Sequence, residues 1–227
     1  NPATGKRSLV FRREDGYEDR PVQVRCGQCV GCRIDRSREW AVRCHHEAAL
    51  YQDNCFVTLT FNDENLPSPP TIATADLQKF MKRLRKRYEP KRIRFFACGE
   101  YGDQNRRPHY HAILFNHDFE DKKLWKLSNG LPVYTSSALS SVWPFGFSSV
   151  GAATFQSAAY VARYILKKVT GELQEQHYEY VCPETGEITE LKPEFVVMSR
   201  RPGLGKGWLD LYKDDVYPDD FLIKIGR

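Results

Sequence analysis

The stretch Arg92–Phe115 constrains this chain most, because its pattern is typical of two strands joined by a short polar turn. The first strand is predicted at residues 92–99 and leads into Glu100, and the second carries His109 and His111 near its start. Strand side chains alternate between faces, so the two histidines share one face, and antiparallel pairing brings Glu100 beside them. This donor set predicts a site for one divalent metal ion. The alternative is a half-exposed strand that carries two surface histidines.

Periodicity predicts the other main elements. Residues 56–61 alternate as a strand with both faces partly buried, which is typical of a central strand. Helical spacing predicts helices at 34–52, 74–88 and 157–171, the last capped by Ser157 and ended by Gly171. Their predicted buried stripes are Ile34, Ser37, Ala41, Cys44, Ala48 and Tyr51; Leu77, Phe80, Met81, Leu84 and Tyr88; and Ala158, Val161, Ala162, Ile165 and Val169.

Turn signals predict two further hairpins, one at residues 9–24 and one around Pro183–Gly186, whereas 116–142 carries no predicted element. The 227 residues suffice for one large domain with a small appendage. We expect an N-terminal hairpin and Cys-rich segment (1–50) packed on the core, followed by the main domain with a basic C-terminal segment (51–227). No apolar run approaches the roughly 18 residues of a membrane helix, so a soluble, cytoplasmic protein without a membrane partner is expected.

Seven cysteines without a secretory pattern argue against a disulfide scaffold and for a reducing compartment. Cys26, Cys29 and Cys32 stand three residues apart, a spacing that lets several thiolates converge on one ion. This predicts a structural Zn²⁺, with Cys44, one of the two histidines that follow it, or a more distant residue as fourth ligand. Free thiols packed under a loop are the alternative.

Positive charge is concentrated rather than spread. Nine Lys/Arg lie between Lys79 and Arg94 against one acidic residue, which indicates a phosphate-binding surface or, alternatively, a solvated helix face. Residues 199–208 are basic and Gly-rich but lack the ending of a P-loop, so no nucleotide site of that kind is predicted. The candidate DNA-binding residues are Lys82, Arg83, Arg85, Lys86, Arg87, Arg106, Arg107, Arg200 and Arg201.

The third helix carries candidate catalytic residues opposite its apolar stripe: Tyr160, Tyr164, Lys167 and Lys168. A tyrosine hydroxyl, with a pKa of about 10, is a poor nucleophile near neutral pH unless the electrophile is polarised. A phosphodiester held by a metal meets that condition, with a lysine stabilising developing charge or relaying a proton. The product is a phosphotyrosine that conserves bond energy, so the predicted reaction is cleavage and rejoining.

These residues resemble the HUH (His-hydrophobe-His) endonucleases that initiate rolling-circle replication. Residues 56–61 resemble the first motif of that family, Pro108–His111 the second and Tyr160–Lys168 the third. The likeness is greatest to replication initiators of microviruses, especially the gokushovirus group. It extends over about residues 26–208 and includes three further runs: 26–33, 99–102 and 199–205.

The resemblance implies an α+β fold with a five-stranded antiparallel, RRM-like sheet (a ferredoxin-like palm) flanked by helices. It implies Glu100, His109 and His111 as ligands of one Mn²⁺ or Mg²⁺, and Tyr160 and Tyr164 as nucleophiles assisted by Lys167 or Lys168. Single-stranded origin DNA is the expected partner, with host helicase and polymerase acting alongside and no small-molecule substrate. Tyr110 departs mildly from the bulky hydrophobe usual between the histidines.

Two other classes of function fit parts of the pattern. A two-His-one-carboxylate iron oxygenase uses the same donor set but leaves the tyrosine-lysine face and the basic helix unexplained. A non-catalytic module with an RRM-like sheet would bind single-stranded nucleic acid with its histidines merely exposed.

Overall fold

A computed structural model describes residues 10–16, 22–102, 105–167, 169 and 174–217, without the side chains of 164–167. The strands of these residues are β1 (Asn54–Thr60), β2 (Arg94–Tyr101), β3 (Pro108–Phe115), β4 (Lys123–Ser128), β5 (Leu131–Thr135), β6 (Ser148–Ala152), β7 (Glu179–Val181), β8 (Ile188–Glu190) and β9 (Phe195–Met198). The helices are α1 (Val30–Ala48), α2 (Thr74–Arg87), α3 (Ser137–Val142), α4 (Phe155–Lys167), α5 (Gln174–Tyr178) and α6 (Lys206–Val216).

An α+β architecture is confirmed, and within the described residues seven strands form one antiparallel sheet in the order β4-β5-β6-β1-β3-β2-β9. The prediction that β1 is central is confirmed, since β1 pairs with both β3 and β6. The predicted hairpins are found as β2–β3 and as the separate pair β7–β8.

The prediction of five strands was wrong by two, because β4 and β5 extend one edge of the sheet. They lie within residues 116–142, where sequence periodicity predicts nothing, since every residue of β4 is exposed. The turn between them contains Asn129 and Gly130, both with positive φ. An Asn-Gly pair is the strongest short-range sequence signal for a tight hairpin, so the β4–β5 turn is detectable from the sequence.

The hairpin predicted at residues 9–24 lies partly outside the described residues, which omit Leu9 and 17–21. The described parts form a short 3-10 turn at Arg13–Asp15 and no strand at 22–26. The next element, α1, belongs to the core, because Ala41 and Cys44 are buried in one cluster with strand residues.

Two helical layers cover the sheet. On one face α2 buries Leu77, Phe80, Met81 and Leu84, as its periodicity predicts, against a cluster that includes strand residue Leu114. On the opposite face α1 and α4 pack against each other and against the strands. The members of that second cluster are Ala41, Cys44, Phe96, Cys98, Ile113, Phe115, Ala158, Val161, Ala162 and Leu204.

Both helices on that second face begin earlier than predicted. Cys29 caps α1, since its sulfur accepts the backbone N–H of Cys32, and Ile34 of the predicted stripe is therefore exposed. In α4 the cap is Thr154 rather than Ser157, because each of these two side chains accepts the other's backbone N–H. The predicted end at Gly171 lies outside the described residues.

A buried ion pair ties α1 to the sheet and to the loop before α6. The Glu47 carboxylate lies 2.8 Å from Nε of Arg94, and both side chains are less than a tenth exposed. The same carboxylate accepts the backbone N–H of Gly205, while Arg94 donates to the carbonyl of Pro202. None of the helices in the described part of the chain has the length and hydropathy to cross a bilayer.

We expect Glu47→Ala to lower the free energy of unfolding by about 3 kcal/mol, because it leaves the buried Arg94 guanidinium without its counter-charge. Chemical denaturation measures this. Glu39→Ala is the matched control, since Glu39 lies on the same helix in an exposed pair with Arg25 and should cost less than about 1 kcal/mol. Equal losses for the two variants would contradict the assignment.

Candidate active site

The β2–β3 register brings Glu100, His109 and His111 to one face of the sheet. Glu100 is the direct partner of His109, and His111 follows two residues later on the same face. Oε1 of Glu100 lies 2.6 Å from Nε2 of His111, and both side chains are buried. The two imidazole rings are parallel within 3°, with centroids 6.4 Å apart. The sequence-predicted grouping is therefore observed.

Contacts behind the histidines orient their rings. Nδ1 of His109 lies 2.6 Å from the carbonyl oxygen of Arg107. A carbonyl only accepts, so Nδ1 carries the proton and Nε2 keeps its lone pair. Burial lowers the pKa of His109, which favours this neutral form. On β1, the hydroxyl of Thr58 lies 3.0 Å from Nδ1 of His111, its direct partner in the strand pairing.

No role is predicted from the sequence for Thr58 or the Arg107 carbonyl. Alternation along β1 predicts which residues share a face with Thr58, but only the β1–β3 register places Thr58 opposite His111. Two glycines around Glu100 also matter. A Cβ on Gly102 would lie 2.9 Å from the His109 ring, and one on Gly99 would lie 2.8 Å from the Phe195 ring. At either position a side chain would force the neighbouring ring to shift.

The residue between the histidines serves the other face of the sheet. Tyr110 is fully buried beneath α2, where its hydroxyl accepts the backbone N–H of Ala73 and donates to Asp76. Burial raises the pKa of Tyr110, so the hydroxyl remains a donor. Ala73 has no side-chain cap of its own, so Tyr110 holds the start of α2 in place. A tyrosine at this position therefore has a packing role.

Tyr160 of α4 lies over the histidine face. Its ring centroid is 5.3 Å from that of His111, edge-on at 85°, and 6.3 Å from that of Phe56. Its side chain is 37% exposed, so the phenol borders both the buried pair and solvent. The side chains of Tyr164 and Lys167, and all of Lys168, lie outside the described residues.

Donor chemistry at this site fits a divalent metal ion: two imidazoles and one carboxylate on adjacent strands, with one imidazole nitrogen fixed as a lone pair. The ligand atoms of this site lie farther apart than those of the cysteine cluster. Among the described residues, the one group of three ligand atoms within 4.8 Å of one another belongs to Cys26, Cys29 and Cys32. The ligand atoms of Glu100, His109 and His111 lie farther apart than that.

The cysteine cluster lies at the start of α1 and can hold a metal ion such as Zn²⁺. The sulfur of Cys26 accepts the backbone N–H of Cys29 at 3.2 Å, and that of Cys29 accepts the N–H of Cys32 at 3.5 Å. Backbone N–H groups, that of Cys29 first, lower the pKa of Cys26 to about 7. A thiolate, the metal-binding form, is thus favoured at this position.

Cys44 does not join this cluster, contrary to the expectation that it is a fourth ligand. It lies twelve residues beyond Cys32 on the same helix, about 18 Å away at 1.5 Å per residue. Its thiol is buried among core residues, and burial raises its pKa. His45 and His46 are further along the helix still, and His46 stacks on Trp208.

The predicted DNA-binding residues fall into separate places. The α2 residues Lys82, Lys86 and Arg87 are exposed on the helix that covers the face opposite the histidines. Two α2 arginines are engaged in the fold: Nε of Arg83 donates to the carbonyl of Val142, and Arg85 donates to that of Ile93. Burial lowers the pKa of both arginines.

The four remaining arginines form two groups. Arg200 and Arg201 line a pocket of about 450 Å³, together with Arg85 of α2 and with Lys91, Arg92 and Arg94. Arg106 and Arg107 lie beside the histidine site. Arg106 donates to the carbonyl of His177, and Arg107 pairs with Asp63.

An antiparallel sheet that presents a histidine–carboxylate centre, with a tyrosine from a packed helix above it, defines an α+β protein with a candidate active site on one sheet face. Residues 54–169, half of the chain, match the family model for the replication-associated protein ORF2/G2P. The chain belongs to this family.

Curated relatives agree with this assignment. The chain is 32% identical over 206 residues to the replication-associated protein VP4 of Bdellovibrio phage phiMH2K, and 35% identical over 209 residues to the replication-associated protein ORF2 of Spiroplasma virus 4. These alignments cover 87% and 88% of the chain but only 61% of each relative. A shorter match joins 63% of the chain to 38% of the replication-associated protein ORF4 of Chlamydia phage 1, at 33% identity.

All three relatives come from microviruses, so the predicted likeness to microvirus replication proteins is confirmed. All three carry the name replication-associated protein. The chain spans about three fifths of the length of the first two relatives. No solved structure matches the chain.

We expect Thr58→Val to weaken Mn²⁺ binding by about tenfold, because it removes the hydroxyl that orients His111 while keeping the side-chain shape. Isothermal titration calorimetry on zinc-loaded protein measures this. Thr60→Val is the matched control, since Thr60 lies on the same face of β1, opposite His109, and its side chain forms no hydrogen bond among the described residues. Unchanged Mn²⁺ affinity in Thr58→Val would contradict the orienting role.

Proposed function

We propose that this chain is a metal-dependent endonuclease and strand transferase that initiates and terminates rolling-circle replication of a phage genome. It would nick single-stranded origin DNA in a sequence-specific way through a 5′-phosphotyrosine intermediate. The observation that carries the proposal is the position of the Tyr160 ring, 5.3 Å from His111, in a chain of a phage replication-associated family. An exposed phenol edge beside a histidine–carboxylate centre suits attack on a phosphodiester.

In the proposed reaction the hydroxyl oxygen of Tyr160 forms a bond to the phosphorus of the scissile phosphate, and the bond from phosphorus to the 3′ oxygen breaks. The phenolic proton leaves to solvent or to the amine of Lys167 or Lys168, and the departing 3′ oxygen takes up a proton to become a free hydroxyl. The number of phosphoester bonds is unchanged, so the 3′ hydroxyl can reverse the step. Tyr164 would receive the second strand junction.

Glu100, His109 and His111 would hold one Mn²⁺ or Mg²⁺ at this site. A bound ion supplies Lewis-acid polarisation of a non-bridging phosphate oxygen. The chain's own contribution is to keep these donors in place. Thr58 and the Arg107 carbonyl fix the two rings, and the tightly packed β2–β3 hairpin sets the spacing of the three donors. Unwinding and synthesis would fall to host helicase and polymerase.

We also propose that Cys26, Cys29 and Cys32 hold a structural Zn²⁺. The three sulfurs already converge, and two of them accept backbone N–H groups. At Cys26 these N–H groups lower the pKa and favour the thiolate. Such an ion would fasten the segment before α1 to the first turn of that helix. It would not take part in the chemistry at Tyr160.

We expect the double variant Tyr160→Phe/Tyr164→Phe to lose covalent attachment to DNA by at least about a thousandfold, since neither ring retains an attacking oxygen. The assay incubates protein with a single-stranded origin library and Mn²⁺ and resolves adducts on a denaturing gel. The single variants identify which tyrosine attacks first. Tyr212→Phe, an exposed tyrosine of α6, is the control and should behave as wild type.

An adduct that persists in the double variant would refute the tyrosine assignment. Binding to DNA that is insensitive to chelator, with no cleavage under any metal, would instead support the non-catalytic module. Full activity with Mn²⁺ in the absence of oxygen excludes the oxygenase.

For the cysteine site, we expect the purified protein to contain one zinc per chain by elemental mass spectrometry, because three converging thiolates favour this ion. Cys29→Ser should lose that zinc, whereas Cys182→Ser, a half-buried cysteine on the separate β7–β8 hairpin, should keep it. Protein that contains no zinc after purification from cells grown with ample zinc would contradict the proposal.

A further inference from the structure

A groove of about 630 Å³ lies between α1, β9 and the loop that follows β9. It is separate from the histidine site, and no function is predicted from the sequence for the α1 and β9 residues that line it. The residues that matter most for its chemistry are Arg36, Trp40 and Arg43 on α1 and Arg200 on the loop, with Met198 of β9 on the opposite wall.

The α1 residues form one stripe, because spacings of four and three residues return to the same side of a helix. Trp40 lies in the middle of this stripe and is half-buried. Its ring stacks on Phe96 of the sheet, with centroids 5.4 Å apart and planes 24° apart, and the guanidinium of Arg43 lies 5.2 Å from the ring centroid. The indole thus stacks on Phe96 and has a planar cation over its ring.

The charge of the groove is strongly positive. Arg36, Arg43 and Arg200 are all exposed, and none of them takes part in the ion pairs formed among the described residues. One carboxylate, Glu194, lines the groove, but it is buried and accepts a hydrogen bond from the Tyr178 hydroxyl. Arg200 also lines the neighbouring basic pocket, so the positive surface continues beyond the groove.

The groove belongs to the same sheet face as the histidines. Val196 and Met198 pack against the cluster on that face, and Val196 is paired with Cys98, which is paired in turn with His111. Two strand spacings, about 10 Å, therefore separate the β9 wall from the strand of His111. Both α1 and β9 lie outside residues 54–169, the part of the chain that the family model matches.

We propose that this groove binds single-stranded DNA, at nucleotides of the strand other than those that flank the reactive phosphate. A base would stack on the exposed guanidinium of Arg43, which lies over Trp40, and on the part of the indole that stays exposed. Arg36 and Arg200 would bind backbone phosphates. An aromatic ring flanked by arginines that have no carboxylate partner among the described residues is suited to unpaired bases, because every base has a face to stack and every nucleotide a charge. This inference rests on the proposed function, since it extends the same substrate to a second contact surface.

The test compares two arginines two residues apart on α1: Arg36, which lines the groove, and the exposed Arg38, which does not. Fluorescence anisotropy measures equilibrium binding of a labelled single-stranded oligonucleotide, in chelator so that no cleavage occurs, over a series of salt concentrations. We expect Arg36→Ala to reduce the slope of log affinity against log salt by about 0.7, the value for one phosphate contact on single strands. Arg38→Ala should leave the slope unchanged.

Stacking is tested by Trp40→Leu, which keeps an apolar side chain against Phe96. We expect affinity to fall by about tenfold, with the melting temperature measured in parallel to show that the fold persists. A second readout needs no substitution: photocrosslinking of an oligonucleotide that carries 5-iodouracil should recover the peptide that contains Trp40.

Equal salt slopes for Arg36→Ala and Arg38→Ala, or crosslinks that avoid Trp40, would overturn the groove proposal. Competition by duplex DNA as strong as by single strands would assign the surface to a duplex and overturn it as well. If the groove variants form normal tyrosine adducts and bind DNA as the wild type does, the groove proposal is contradicted and the proposed function is not. Failure of the wild-type protein to bind single strands at all would overturn both.

Discussion

The pairing register of β2 and β3 is the constraint on which the rest of the structure depends. It makes Glu100 the partner of His109 and leaves His111 opposite Thr58 of β1. A slip of one residue would turn both histidines toward α2 and bring Tyr110 out of the core. Tyr110 opposes that slip, because its buried hydroxyl is bonded to the start of α2 and would lose those partners. One residue between the histidines thus secures the face that they share.

The sheet separates two tasks. Its α2 side holds the largest apolar cluster and carries an exposed basic helix surface, while its other side carries the histidines, Tyr160 and the groove beside α1. A phosphate beside Tyr160 is separated from α2 by the thickness of the sheet. Under the proposed function, the cations of the described residues that reach the reactive strand would therefore come from α1, α4 or the loops around 106 and 200. The density of charge on α2, the most obvious feature of the sequence, does not locate the site.

Local periodicity sufficed for the β2–β3 hairpin, for β1 and for the buried stripe of α2, because each buries a face with its own period. It could not reveal β4, whose residues are all exposed, or β5, whose residues are at most half-buried, although Asn129–Gly130 marks their turn. It could not exclude Cys44 as a ligand. Sequence spacing alone does not show that Cys32 and Cys44 lie on the same helix, whose length keeps their sulfurs apart. The role of Thr58 required the strand register, which no single stretch contains.

Peptide mapping of the protein–DNA adduct tests the central claim most directly. After reaction with origin DNA and Mn²⁺, nuclease trimming would leave a short nucleotide on the attacking side chain, which tandem mass spectrometry can locate. A tyrosine in α4 beside His111 predicts a nucleotide joined through its 5′ phosphate to Tyr160 or Tyr164. A nucleotide on any other residue, or cleaved DNA that ends in a free 5′ phosphate with no adduct, would contradict the account.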